Sequence, residues 1–213
     1  LDIPLDAFAG LTTRGAIAQF IISGDPNTLW IDNVYFHASA PAEPTEAAPA
    51  PTHDAADVIS LFSDAYDDVT VDTWSAVWDD ASVADVEVAG NATKKYTNLV
   101  FAGIEFTSAP IDAGEMTHLH LNLWTPDATA APAAFRIKLV DFGADGAFGG
   151  GDDVEHELTF NDGSTPAMAT GSWVSLDIPL ADFANMTTRG SLAQMVISGD
   201  PNTLFIDNLY LHK

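Results

Sequence analysis

Residues Thr117–Thr125 read THLHLNLWT. Leu119, Leu121 and Leu123 alternate with His118, His120, Asn122 and Trp124. Successive side chains of a β-strand point to opposite faces, so the leucines share one face and the polar and aromatic residues the other. A helix of 3.6 residues per turn would scatter the same residues around its axis. The stretch is therefore a strand, with its leucines expected in a core.

Its neighbours follow the same alternation. In AFRIKLVDF, Phe135, Ile137 and Leu139 turn inward while Arg136 and Lys138 turn outward. In DVEHELTF, Val154, His156, Leu158 and Phe160 share a side, opposite Glu155, Glu157 and Thr159. Pairing these two as a hairpin sets Arg136 and Lys138 beside Glu155 and Glu157. VISLFS, VEVAG, KKYTNLVF, WVSLDIPL, LAQMVISG and TLFIDNLYL are further short segments rich in β-branched or aromatic residues, punctuated by Gly, Pro, Asn and Asp. Eight or more such strands predict an all-β fold, an antiparallel β-sandwich of jelly-roll type, over residues 57–213.

The end of the chain is spelled twice. Leu1–His37 aligns without gaps onto Leu176–His212, with 26 of 37 positions identical. Two such copies imply two copies of one structural unit. The first copy lacks the long stretch that precedes the second. Residues 1–37 are thus expected to be the C-terminal fragment of an upstream sister domain. About three strands without a sheet expose unpaired edges, so this fragment is expected to pair with another molecule or with a clipped sister domain. Residues 38–56 are dominated by Pro, Ala and Glu. They read as a semi-extended linker between modules.

Composition restricts the partners. There are 31 acidic residues against 7 Lys and Arg, a net charge of −24. Phosphate binding rests on Lys and Arg, so nucleic acid is excluded as an expected partner. Strongly anionic polysaccharides are disfavoured for the same reason, and a neutral ligand is expected. Acidity of this kind suits solubility in salty water and a marine source. The chain has no cysteine, hence neither disulfides nor thiolate chemistry. No apolar run is long enough to span a membrane.

Four groups of residues are candidates for function. The first is the outward face of the three central strands: Trp124, His120, Asn122, Arg136, Lys138, Glu155 and Glu157. Aromatic rings stack on pyranose faces, and planar polar groups bond hydroxyls. The alternative is an ordinary solvated face laced with ion pairs. The second is VDTWSAVWDD, whose Trp74 and Trp78 are expected in a loop, either exposed for binding or plugging the end of the sandwich. Tyr96 and Phe148 are weaker aromatic candidates. The third is DFGADGAFGGGDD, where Asp141, Asp145, Asp152 and Asp153 offer the oxygen ligands that calcium prefers. The alternative there is a glycine-rich hairpin loop. The fourth is Asp207, which by strict alternation lies with Phe205, Leu209 and Leu211 on the apolar side. A buried acid needs a partner or a metal, and Asp32 matches it in the first copy. His118 and His120 lack a third metal ligand nearby in sequence. No catalytic constellation stands out; Glu155 and Glu157 lie on one strand rather than across a cleft.

DVISLFSDAYDDVTVDTW, KKYTNLVFAGIEF, IKLVDFGADGAFGGGDDVEHELTF and the closing IDNLYL resemble the β-sandwich carbohydrate-binding modules appended to family 16 glycoside hydrolases, the laminarinases of marine bacteria. The resemblance covers the whole of residues 57–213. It implies non-catalytic binding of a β-1,3-glucan such as laminarin, in a secreted or cell-surface protein whose attached enzyme the module targets. A looser similarity to the family 4 and family 22 modules implies a structural calcium at Asp207, with Ser63 and Asp64 as partners. The alternative function is a calcium-stiffened structural or adhesive repeat of a cell-surface protein.

Overall fold

The computed structural model describes residues 1, 3–36 and 41–213. Asp2, the last residue of the expected fragment and the first three of the expected linker (37–40) lie outside the described residues. The chain divides into two units, Leu1–Ala38 and Ser39–Lys213.

The second unit is built from nine strands: β1 (Val58–Phe62), β2 (Asp80–Val88), β3 (Asn91–Glu105), β4 (His118–Trp124), β5 (Phe135–Asp141), β6 (Val154–Phe160), β7 (Val174–Pro179), β8 (Leu192–Gly199) and β9 (Leu204–His212). All the named pairings are antiparallel. They form one curled sheet in the order β6-β5-β8-β3-β9-β4-β7, with β1 on β9 and β2 on β3. The long β3 closes the curl. Its first half pairs with β9 through Lys94–Tyr96 and its second half with β8 through Phe101–Glu105.

The sheet therefore wraps a single core. Leu119, Leu121 and Leu123 of β4 meet Phe135, Ile137 and Leu139 of β5 there, with Met195, Ile197, Ile206 and Leu209. Each fully buried side chain of this size contributes roughly 1.5–3 kcal/mol. Strands β4 and β5 are not neighbours; β8, β3 and β9 intervene. Because both turn their apolar side to the same core, their outward sides point away from it in opposite directions. The expected single binding face is really two faces.

Alternation breaks in β9, next to Asp207. Asn208 is left-handed at φ 50°, and the β4–β9 register shifts between His120 and Asn122. This bulge places Asp207 on the outer side with Phe205, while Leu209 and Leu211 return to the core. Such an insertion resets the faces of a strand. It corrects the expectation that Asp207 shares a side with Leu209 and Leu211.

The first unit holds one short 3₁₀ turn, Leu5–Ala7, and no strand among the described residues. Its apolar side chains are exposed: Trp30 is 87% exposed, whereas its counterpart Phe205 is 2% exposed.

Candidate functional site

One outer face is carried by β6, β5, β8 and β3. The registers align three rows across it: Thr159–Arg136–Ser198–Phe101, Glu157–Lys138–Val196–Gly103 and Glu155–Val140–Gln194–Glu105. At neighbouring-strand spacing the four strands span about 14 Å. Lys138 Nζ donates to Glu155 at 3.0 Å, and Arg136 lies 3.8 Å from Glu157. The expected cross-strand cluster is thus present. These side chains are partly exposed, so such pairs contribute less than about 1 kcal/mol each and remain available to a ligand.

Trp78 completes this face. It lies in the loop between β1 and β2 and is 46% exposed. The ring stacks on Phe101, with centroids 6.1 Å apart and planes 19° apart. Its Nε1 donates to Glu105 Oε1 at 3.0 Å, which also accepts from Gln194 Nε2 at 2.9 Å. Asp79 pins the loop by accepting from the Gly103 amide and from Ser75 Oγ. A Cβ at residue 103 would lie 2.4 Å from Trp78 Cη2, so glycine is what lets the indole lie on the sheet. Phe101, Gly103, Glu105 and Gln194 escaped the sequence reading. The lone glycine inside a strand was the available signal. Phe148, 72% exposed, leans on Phe142 beside Val140 at the end of β5.

Trp74 does not join Trp78. It packs against the core, edge-on to Phe62 at 5.7 Å, with Lys94 Nζ 4.7 Å above its ring. Tyr96 is buried, and its hydroxyl donates to the Trp74 carbonyl at 2.8 Å.

The opposite face, on β7, β4 and β9, is covered. Residues 41–56 lie across it as a strap, so this stretch of the expected linker is bound to the domain. Trp173 Nε1 donates to the Glu46 carbonyl at 2.8 Å, and Asn208 Nδ2 to the Pro49 carbonyl at 3.1 Å. Glu43 pairs with Lys95. His53 stacks on His212 at 3.8 Å, and its Nδ1 meets Tyr210 Oη at 3.1 Å. Trp124 is only 2% exposed and packs edge-on to Phe205 with Trp173 alongside. Asn122 is buried between Ser175 and Asn208. His120 stacks on Tyr210 and meets Asp177 at 3.2 Å, which also meets His212 at 2.9 Å. Burial is the main reason that the His120 imidazole titrates below its ordinary value. Trp124, His120 and Asn122 are therefore not on the solvated face where alternation alone put them.

The acids of the 141–153 loop accept mostly from its own backbone, with Asp141 also held by Thr188 and Ser191. Asp141 accepts from Gly143 N, Thr188 Oγ1 and Ser191 N. Asp152 accepts from Ala144 N and Asp145 N, and these backbone bonds hold its carboxyl below its ordinary value. Asp145 caps Ala147 N, and Asp153 caps Gly149 N. Among the described residues no group of three His, Asp or Glu is placed to hold a metal.

Asp207 is fully buried. Burial above all, with Asp64 and Asp68 nearby, pushes its carboxyl up to about 6, against the hydrogen bonds from Asn208 N and Asn91 Nδ2. Asn91 Oδ1 is buried without a partner. Half a turn of that amide would set its oxygen beside Asp207. Asp64 accepts from Ala92 N, while Ser63 Oγ donates to Asn208 Oδ1. The donor set is all oxygen, the chemistry of a hard cation.

No protein-family profile and no curated protein matches the sequence. The fold is similar to that of solved carbohydrate-binding modules. The family 30 module of the cellulosomal cellulase Cel9D-Cel44B of Clostridium thermocellum aligns with a TM-score of 0.54 and 15% identity, covering 73% of this chain and 97% of that one. A second family 30 carbohydrate-binding module structure gives 0.53 and 15% identity, with 73% and 87% coverage. The antiparallel jelly-roll of carbohydrate-binding modules is thus the fold of the second unit. Among the described residues no helix is long and apolar enough to cross a membrane.

Proposed function

We propose that the chain is a non-catalytic module that binds a neutral polysaccharide on the β3–β8–β5–β6 face, with a β-1,3-glucan such as laminarin as the preferred ligand. The observation that carries this reading is Trp78. A half-exposed indole lies flat on a sheet that also carries Arg136, Lys138, Glu155, Glu157 and Gln194. An aromatic surface of this kind on a solvated face is a binding feature, since it supplies an apolar plane amid hydrogen-bonding groups. Glu155 and Glu157 neighbour Lys138 and Arg136 on one face, an arrangement for recognition rather than hydrolysis. The net charge of −24 favours neutral glycans over anionic ones. In this reading the module is secreted or displayed at a cell surface and brings an attached enzyme to its substrate. A structural calcium at Asp207 belongs to the same proposal, supported by the buried acid and the unpartnered Asn91 oxygen.

Affinity electrophoresis through gels containing laminarin, mixed-linkage glucan, xylan or alginate tests the proposal. Retardation is expected in laminarin and lost in Trp78→Ala. Retardation by xylan or alginate alone overturns the glucan assignment. Free migration in every gel overturns binding altogether and leaves a structural or adhesive repeat.

A further inference from the structure

The strap does not lie flush along its whole length. Between it and the sheet is a cavity of about 390 Å³, lined among others by Trp124, Trp173, Pro44, Thr45, Glu46 and Ser172. Ligand pockets run from roughly 300 to 1,000 Å³, so this one has the volume for a small molecule. We infer that it is a second carbohydrate site, separate from the Trp78 face, which takes a neutral mono- or disaccharide. The inference extends the proposed function, because it assumes that the module meets saccharides.

Three features select that ligand class. The partly exposed Trp173 indole, backed by the buried Trp124, and the strap prolines give apolar surface suited to a pyranose ring. Thr45, Ser172 and Glu46 also line the space, and side chains of these types supply donors and acceptors for sugar hydroxyls. The glutamates repel an anionic ligand. The wall facing the tryptophans is the strap itself, held at its two ends by Glu43 on Lys95 and by His53 on His212 and Tyr210. The site thus exists only while the strap is docked. Trp173 is its reporter, since Nε1 is already fixed on the Glu46 carbonyl and any occupant changes that proton's surroundings.

The test is a titration of the whole ¹⁵N-labelled chain with glucose, cellobiose and laminaribiose, following the indole resonances of Trp173 and Trp78. The expected result is a saturable shift at Trp173 that persists in Trp78→Ala. Trp173→Ala should weaken this binding at least tenfold. Trp173→Phe, which keeps an aromatic wall should the alanine variant unfold, should weaken it less. Polysaccharide binding by the Trp78 face should be unchanged in both. Shifts confined to Trp78 and Phe101 overturn the second site and leave the proposed function standing. Shifts at Trp173 with choline but with no sugar overturn it as a carbohydrate site. Shifts at neither tryptophan with any sugar, together with free migration in the gels, overturn both readings.

Discussion

Replacing Gly103 with alanine adds one methyl group and no charge, yet the geometry makes it a severe test of the Trp78 platform. The new Cβ would lie 2.4 Å from Trp78 Cη2, 2.5 Å from Cζ2 and 3.1 Å from Ala76 Cβ. Ordinary carbon contacts need about 3.5–4.0 Å, so the indole must rise by about 1 Å or swing away. Lifting it loses the bond to Glu105, about 1–3 kcal/mol with a charged acceptor, and the Phe101 stack, about 0.5–1.5 kcal/mol. Alanine recovers roughly 0.5–1 kcal/mol of backbone entropy relative to glycine in a strand. The expected net destabilisation is about 1–3 kcal/mol, measured by urea unfolding. Laminarin affinity should fall about 30-fold, the effect of a central aromatic contact worth about 2 kcal/mol. The double variant with Trp78→Ala separates crowding from a general defect. With the ring gone, only the 3.1 Å approach to Ala76 Cβ remains, so the double variant should unfold nearly like Trp78→Ala alone. Unchanged laminarin affinity in Gly103→Ala, with the fold intact, would refute the argument that the flat-lying indole is the binding plane.

Three further outcomes are expected. Asp207, raised from 3.8 to about 6, favours the native state only when protonated. Without metal its penalty is absent below about pH 4 and complete above about pH 6, so stability falls as pH rises through that window. Asp207→Asn should abolish that slope and gain roughly 1–3 kcal/mol at pH 7 in chelator. Added calcium should reverse the ranking, and no calcium effect on the wild-type melting temperature would sink the metal proposal. His120, lowered by burial, is held neutral in the fold, so stability should drop as pH falls below about 6.5. His120→Gln should flatten that limb, as read by thermal unfolding at pH 5 and 7.5. Lys138→Ala removes an exposed ion pair and should alter stability by less than about 1 kcal/mol, while reducing laminarin retardation in the gel.

The nine strands were legible because alternation is a local signal, and THLHLNLWT or AFRIKLVDF carries it without reference to the rest of the chain. The candidate site was only half legible. Alternation says that Trp124 and Leu123 point in opposite directions, not what lies over the tryptophan. What lies over it is a stretch whose proline and alanine content reads as a spacer. Its anchors, His53 and the carbonyls of Glu46 and Pro49, have no periodicity to betray them. Nor does adjacency in sequence fix adjacency in space. Strands β4 and β5 follow one another, yet three strands separate them, which sent Trp124 and Lys138 to different faces. Arg136, Lys138, Glu155 and Glu157 were placed correctly because a hairpin brings β5 and β6 together directly. Two clues stood in plain view: Gly103 within a strand, and the Asp207–Asn208 pair, whose asparagine tolerates a left-handed backbone.

That pair has a counterpart. Asn33 is left-handed at φ 52° as Asn208 is at 50°. Asp32 accepts from the Asn33 amide at 2.8 Å, as Asp207 accepts from Asn208 at 2.6 Å. Around Asp207 nine strands enforce the geometry; around Asp32, among the described residues, no strand does. The left-handed step therefore does not need the sheet around it: the local sequence, with the Asp carboxylate closing on the next amide, is enough to hold it. A sheet assembled on such a stretch meets a kink already formed, which presets the offset between the residues before it and those after it.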